Sequence, residues 1–189
     1  MAGLTSIFSA FGLSASAGLN AYLPLLIVSV AAKIGIIKLH DPFDVMTSWW
    51  IIGVLIVLTL VEFFVDKIPA VDTVNDIINT VIRPAAGAVL FASTANIVTD
   101  VSPVLSIVLG LLAAGGIHAA KATVRPVVTA TTAGIGNPII STVEDIVAAI
   151  TSLVAILIPW LVLLFATVGL VVFLWWRLRR IEKREAASR

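Results

Sequence analysis

Long uncharged apolar runs alternate along this chain with short stretches that collect nearly every ionisable side chain, and the runs have bilayer-crossing length. Residues 1–32 carry no charge; as one helix they would extend about 48 Å, more than a single crossing needs. Gly12, Gly18, Asn20 and Pro24 interrupt the second half, and Pro24 has no N–H for the Asn20 carbonyl, so this first helix is predicted to kink or break. A second run lies between Asp44 and Glu62 and opens on Trp49-Trp50. Pro69 and Asp72 precede a third helix, with Asp72 as its predicted N-cap, running through Arg83-Pro84 to about Thr99. Asp100-Val101-Ser102-Pro103 reads as a tight turn. A fourth span follows to about Arg125, where Pro126 and a Thr/Ala/Gly-rich linker ending in Gly134-Ile135-Gly136-Asn137-Pro138 are expected to break it. From Ile139 the pattern is helical again; residues 146–176 hold no charged side chain, and Pro159 predicts a kink.

The expected fold is therefore an all-α integral membrane protein of about five transmembrane helices, some kinked or broken, in one domain over residues 1–176 with a basic tail at 177–189. Composition agrees: 60% of the 189 residues are hydrophobic and 12% charged, and the mean hydropathy of +1.13 lies outside the range of soluble domains. A cleaved secretory signal would lead into a polar mature chain, and here the apolar pattern never ends, so the N-terminus is expected to be retained. The absence of cysteine excludes a disulfide framework, thiolate catalysis and a cysteine-ligated metal.

The net charge of +1 hides an uneven distribution, because Arg177, Arg179, Arg180, Lys183, Arg184 and Arg189 crowd the end of the chain. Basic residues beside spans mark the cytoplasm. Counting back five spans from a cytoplasmic tail puts the Lys33/Lys38 loop on that side too, with Trp49-Trp50 and Trp175-Trp176 in one aromatic belt and the N-terminus outside. A re-entrant first or last segment would reverse this parity. Gly12–Ala21 (GLSASAGLNA) weakly repeats as Gly110–Ala119 (GLLAAGGIHA), and under the five-span count the two copies run in opposite directions, as in inverted-repeat transporters. Thr73–Ile77 (TVNDI) resembles Thr142–Ile146 (TVEDI) at a different offset.

The candidate chemistry lies in the charged stretches. Glu62 and Asp66 share a helix face, and Asp72, Asp76, Asn79 and Arg83 follow at spacings of four, three and four as a polar stripe opposite Val74, Ile77, Ile78, Val81 and Ile82. His118, Lys121 and Arg125 form a similar stripe on the fourth span, and Glu144 and Asp145 open the last helix. The five-span count places all three groups toward the non-cytoplasmic side, where they could converge. Lys67, Asp72 and Glu144 are equally consistent with solvated helix ends, and a lone His118 with a hydrogen-bonded interior histidine. Arg83 lies about 16 Å along its helix from Asp72, where a charge costs about 2.5–3.5 kcal/mol. It should therefore have a carboxylate partner on another helix, Asp66, Glu62 or Asp145, with Asp76 two turns away and out of reach. A structural ion pair would satisfy Arg83 as well as a functional one. The prolines at 24, 84, 126 and 159 each free a carbonyl within the membrane, while Gly110, Ala114, Gly115 and Ala119 suit close helix packing.

Asp66-Lys67-Ile68-Pro69, Asp72, Asp76, Arg83-Pro84 and Ala86-Gly87-Ala88, with Ala17-Gly18-Leu19-Asn20-Ala21, Lys121, Arg125 and the Asn137–Asp145 segment, resemble the membrane family named domain of unknown function 4126. The resemblance runs from about Ser14 to Ile158 and departs in the Thr/Gly-rich linker at 129–137. It implies no activity, but it implies that the polar residues form one constellation.

The expected function is a small transporter or channel-like protein, with Asn20, Glu62, Asp66, Lys67, Asp72, Asp76, Asn79, Arg83, His118, Lys121, Arg125, Glu144 and Asp145 lining a path for an ion or small polar solute. Such a short chain is expected to form a homo-oligomer in the lipid bilayer, and nucleic acid is not an expected partner. The alternatives are an intramembrane enzyme in which Asp66, Asp72 and Asp76 hold Mg²⁺ against a lipid phosphate or diphosphate, and a non-catalytic scaffold. Against the enzyme, the chain has no Ser/His/Asp set, no Asp-Gly-rich phosphotransferase signature and only two histidines.

Overall fold

The computed structural model describes residues 2–39, 41–95 and 102–187, with side chains described except at 2, 69–74 and 180–187. These residues form seven α-helices and no strand: α1 (Ala2–Leu19), α2 (Tyr22–Lys33), α3 (Trp49–Val65), α4 (Pro69–Ala95), α5 (Pro103–Thr132), α6 (Asn137–Leu157) and α7 (Pro159–Ala187), with a short 3₁₀ turn at Phe43–Thr47 before α3. Four stretches are long and apolar enough to cross a membrane: Asn75–Ala95, Pro103–Thr132, Asn137–Leu157 and Pro159–Arg179. The 17-residue α3 sits at the short limit of a crossing helix.

The predicted break of the first segment occurs at Asn20-Ala21, and Pro24 falls in the first turn of α2, where its missing N–H leaves no helical bond unmade. The break is a reversal. Along α1 and α6, Ser9 donates to the Ala155 carbonyl (2.6 Å), Ser16 and Ser152 pair their hydroxyls (2.9 Å) and Asn20 donates to Asp145 (2.9 Å), so these helices are antiparallel. From Leu26 to Ile34, however, α2 runs along Leu153 to Leu157, back the way α1 came. It ends with the Lys33 ammonium 5.0 Å from the centre of the Trp49 ring. The first segment is a re-entrant hairpin.

The other directions follow from similar pairs. Ser14 donates to the Gly87 carbonyl at 2.8 Å and Phe11 meets Phe91 edge to face at 4.9 Å, so α4 is antiparallel to α1. Gly18 lies against Ala114 and Ile117, and Lys121 reaches the Leu19 carbonyl at 3.2 Å, so α5 is parallel to α1. Phe8 packs on Trp160 with ring centres 5.4 Å apart. Further on, Phe165 and Ala166 share an apolar cavity with Ile150 and Thr151. Hence α7 doubles back along α6. α1 is the axis of the bundle, burying Ala10, Leu13 and Ala17 completely against α4, α5 and α6. At its crossing with α5, α4 presents Gly87 to Gly110, and a methyl added at Gly87 would lie 2.7 Å from the Gly110 carbonyl oxygen. Such contact requires glycine on both helices.

These directions define two ends. The proximal end holds residue 2, the Lys33–Trp49 connection, Ser102-Pro103 and the 157–159 turn; the distal end holds Asp66–Pro69, the 132–137 turn and the chain beyond Trp176. Several sequence expectations change accordingly. The Lys33/Lys38 loop and Trp49-Trp50 lie opposite the basic tail and Trp175-Trp176, because the first segment enters and leaves by the same end. The expected last helix, kinked at Pro159, is two helices, since Ile158 leaves the helical region (φ −139°, ψ 66°) and the chain turns there. With α3 the candidate spans number about five, and the four longest, in α4 to α7, all follow it in the chain. α5 passes Pro126 and ends six residues later, at Thr132, where Ala133 (φ 52°) and Gly134 (φ 84°) turn left-handed and Gly134 N–H caps the Thr129 carbonyl at 3.1 Å. α4 starts at Pro69, so Asp72 is inside the helix rather than its N-cap. The repeat-bearing helices α1 and α5 are parallel, which removes the inverted arrangement. The expected helix end near Thr99 and turn at Asp100 lie outside the described residues.

Candidate functional site

Arg83 is fully buried on α4 and held by two carboxylates of the α3 C-terminal turn: its Nη2 is 3.0 Å from Glu62 Oε1 and 3.4 Å from Asp66 Oδ2. Glu62 and Asp66 can both reach it because four residues return a helix to the same face. Asp145, the third expected partner, is not in contact with Arg83; it accepts from Lys67 (3.4 Å) and from Asn20. Asp76, expected to be out of reach, comes within 3.7 Å of Arg83 Nη1. A long helical side chain leans toward the N-terminus and covers the turns before its own Cα, which closes the two-turn gap.

α5 supplies the other cations. Lys121 Nζ lies 2.9 Å from Glu144 Oε2 and 3.5 Å from Asp66 Oδ2; Arg125 is 3.2 Å from Asp76 Oδ2, 3.2 Å from Glu144 Oε2 and 3.5 Å from Asp66 Oδ2. Asp66 is thus the hub, shared by Arg83, Lys121 and Arg125, while its other oxygen accepts from Asn75 at 2.7 Å. His118 Nδ1 lies 3.2 Å from Arg83 Nη1, and a guanidinium only donates, so Nδ1 accepts; a neutral ring then carries its proton on Nε2 and donates to Thr80 Oγ1 at 3.2 Å. This assigns the tautomer of a neutral His118.

The network grips the hairpin tip. The Lys121 ammonium sits on the last carbonyl of α1, Leu19, and the Glu62 carboxylate accepts the Ala21 N–H at 3.1 and 3.4 Å, just ahead of α2. A cation thus meets a helix C-terminus and an anion a helix N-terminus, each matching the partial charge of that end. Asn79 donates to Glu62 at 3.3 Å, and Asn20 caps Leu23 N–H at 2.9 Å. The depth matters as much as the pairing. His118 lies halfway along α5, about 22 Å from either end at 1.5 Å per residue, while the hydrocarbon is about 30 Å thick. The network therefore extends from the middle of α5, at His118, to the distal end of α3, at Asp66, with its charged groups withdrawn into the bundle.

Beside the network, between α4 and α5, opens a cavity of about 600 Å³ lined on its polar side by Asp76, Thr80, His118, Arg125, Thr129 and Asn137. Of the sequence-predicted residues only Asp76, His118 and Arg125 reach it; Glu62, Asp66, Asn79, Arg83 and Lys121 are buried beneath. Asn20, Lys67, Glu144 and Asp145 join the network away from the cavity lining, and the side chain of Asp72 lies outside the described residues. Sequence reasoning missed Asn75, Thr80, Thr129 and Asn137. Asn75 stands four residues before Asn79, a spacing that could have flagged it. Asn137 gave no signal apart from the turn it sits in.

Among the described residues no group of three or more His, Asp or Glu side chains is placed to hold a metal ion. Asp66, Asp76 and Glu144 are each occupied by guanidinium or ammonium groups. Asp66 and Asp76, two of the three expected Mg²⁺ ligands, are thus engaged by cations rather than free to close on an ion, and the side chain of the third, Asp72, lies outside the described residues.

A family model described as Domain of unknown function (DUF4126) matches residues 7–180. No curated protein and no solved structure matches the chain.

Proposed function

The chain belongs to that family of membrane proteins of unknown function, and from this starting point we propose that it is a small transporter or channel-like protein moving an ion or small polar solute. The observation that carries this reading is the burial of an ion network inside an apolar helical bundle, against the tip of the broken first segment. Ionisable groups in hydrocarbon are costly and usually mark transport paths, and transporter sites lie near the midplane where discontinuous helices expose their ends. A purely structural ion pair would not require a cavity beside it or a hairpin tip bound by three other helices. Against the enzyme reading, two of its three expected Mg²⁺ ligands, Asp66 and Asp76, are engaged by guanidinium or ammonium groups.

The working unit in this reading is a homo-oligomer in the lipid bilayer, since the outer helix α7 buries none of its residues over its apolar length and so leaves a face for a second copy. The mass of the detergent-solubilised particle, corrected for bound detergent, should exceed that of one chain. The basic tail is the strongest orienting signal, so the distal end faces the cytoplasm and the N-terminus lies outside.

The absence of native cysteine allows this orientation to be tested with single introduced ones. Cysteines at Ile36 and Ser102, both exposed, should label only from outside, and one at Ile135 only from the cytoplasm, the side of a C-terminal tag. Labelling of positions 36 and 135 from the same side would contradict the hairpin. For transport itself, Asp76→Asn should reduce solute flux in proteoliposomes at least about tenfold, because it removes the one carboxylate of the network that lines the cavity. Wild-type flux in that variant would remove Asp76 from the path.

A further inference from the structure

Resting on the transport reading and narrowing its substrate, we propose that the α4/α5 cavity takes a small organic monocation, an amine whose ammonium pairs with Asp76 and whose hydrocarbon part lies on the apolar lining. The network is layered by charge sign. Side-chain exposure is 0% at Arg83, 2% at Lys121 and 7% at Arg125, against 22% at Asp76, so of the two charged groups that line the cavity, Asp76 and Arg125, the carboxylate is the more exposed. Within that carboxylate Oδ2 accepts from Arg125, while the buried Oδ1 has no hydrogen-bond partner, since Arg83 Nη1 at 3.7 Å is too far to donate. An ammonium brings up to three donors to the exposed edge of the carboxylate.

An anion finds less. Arg83, Lys121 and Arg125 already hold carboxylates, and Arg83 Nε, which has no hydrogen-bond partner, belongs to a side chain with no exposure. Size and lining then separate an organic cation from a bare metal ion. About 600 Å³ is within the range of small-molecule sites, roughly 300–1,000 Å³. Ile77, Ala122, Pro126 and Ala130 complete the lining and offer a hydrated ion nothing and a hydrocarbon group an apolar surface. Thr129 and Asn137, bonded to one another at 3.1 Å, also line it.

The test is equilibrium dialysis of the purified full chain in detergent against radiolabelled phenethylamine, with phenylpropionate as an anionic counterpart and NaCl as competitor. The amine should bind saturably, survive excess Na⁺ and outbind phenylpropionate at least about tenfold. Asp76→Asn should weaken amine binding by about tenfold or more. Ala122→Phe fills the apolar wall from an exposed position and touches no charge, so it should abolish binding while leaving the unfolding midpoint in place, which keeps the test decisive if the aspartate variant folds poorly. Amine binding unchanged in Ala122→Phe, or phenylpropionate binding the more tightly, would overturn the assignment. Flux of some other solute without amine binding would overturn this inference and leave the transport reading standing, whereas amine binding with no flux of any solute would support the site and remove transport.

Discussion

Arg83→Ala is expected to destabilise the protein by about 3–5 kcal/mol, the cost typical of removing one partner from a buried ion pair. The loss has little to do with the attraction itself. Glu62 and Asp66 are 2% exposed and would keep their charge inside the bundle with one cation fewer, and Glu62 would retain only the Ala21 N–H and Asn79 as donors. Combining Arg83→Ala with Glu62→Gln should recover part of the loss, since the double variant no longer buries the uncompensated charge. Arg83→Ala with Asp145→Asn should be additive, because Asp145 is held by Lys67 and Asn20 instead. Unfolding midpoints in mixed micelles measure both cycles. Additivity with Glu62, or strong coupling with Asp145, would contradict the pairing.

The second large effect is expected at the crossing of α4 and α5. A Cβ at Gly110 would lie 2.6 Å from Phe91 Cβ and 2.8 Å from the Ala88 backbone, and Gly87 lies across the same contact. Backbone cannot rotate aside as a side chain can. Gly110→Val should therefore force the two helices apart, at a cost at or above the roughly 1–3 kcal/mol of ordinary overpacking. The separation would also disturb Arg83–His118 and Asp76–Arg125, which join the same two helices further along. Gly116, with open space around its would-be Cβ, is the control: Gly116→Ala should be neutral or slightly stabilising. Yield of folded protein and thermal midpoint in detergent would show the contrast, and equal behaviour of the two variants would remove the crossing from the account.

Element type was legible in the sequence because apolar length and charge spacing are local properties, and so was the gathering of polar residues onto helix faces. Direction was not. Whether Asn20-Ala21 kinks a helix or reverses it depends on what holds the tip, and the holders, Glu62, Lys121 and Asp145, come from three distant helices. Ile158-Pro159 posed the same ambiguity, so each end of the chain gained a reversal that a hydropathy pattern cannot display. Pro126 misled in the opposite sense. Proline removes one N–H, but ending a helix also requires somewhere for the chain to go, and here the left-handed Ala133-Gly134 pair supplies it. Arg83 illustrates what was and was not recoverable. Its need for a partner followed from the cost of burial, whereas the approach to Asp76 depended on a side chain lying back over two turns. The cavity was wholly tertiary, since its walls join α4 residues to α5 residues about forty positions away.

The most direct test of transport uses one preparation in two settings. Purified protein in sealed liposomes should move a labelled cationic solute across an otherwise tight bilayer, with recovery of the solute chemically unchanged and loss of flux in Asp76→Asn. The same protein in detergent micelles, where no compartments exist, should leave lipid phosphates and diphosphates unconverted with or without Mg²⁺. Flux without conversion is the result this account predicts. Metal-dependent release of product from a lipid phosphate in micelles, lost in Asp76→Asn and unaccompanied by flux in liposomes, would contradict it.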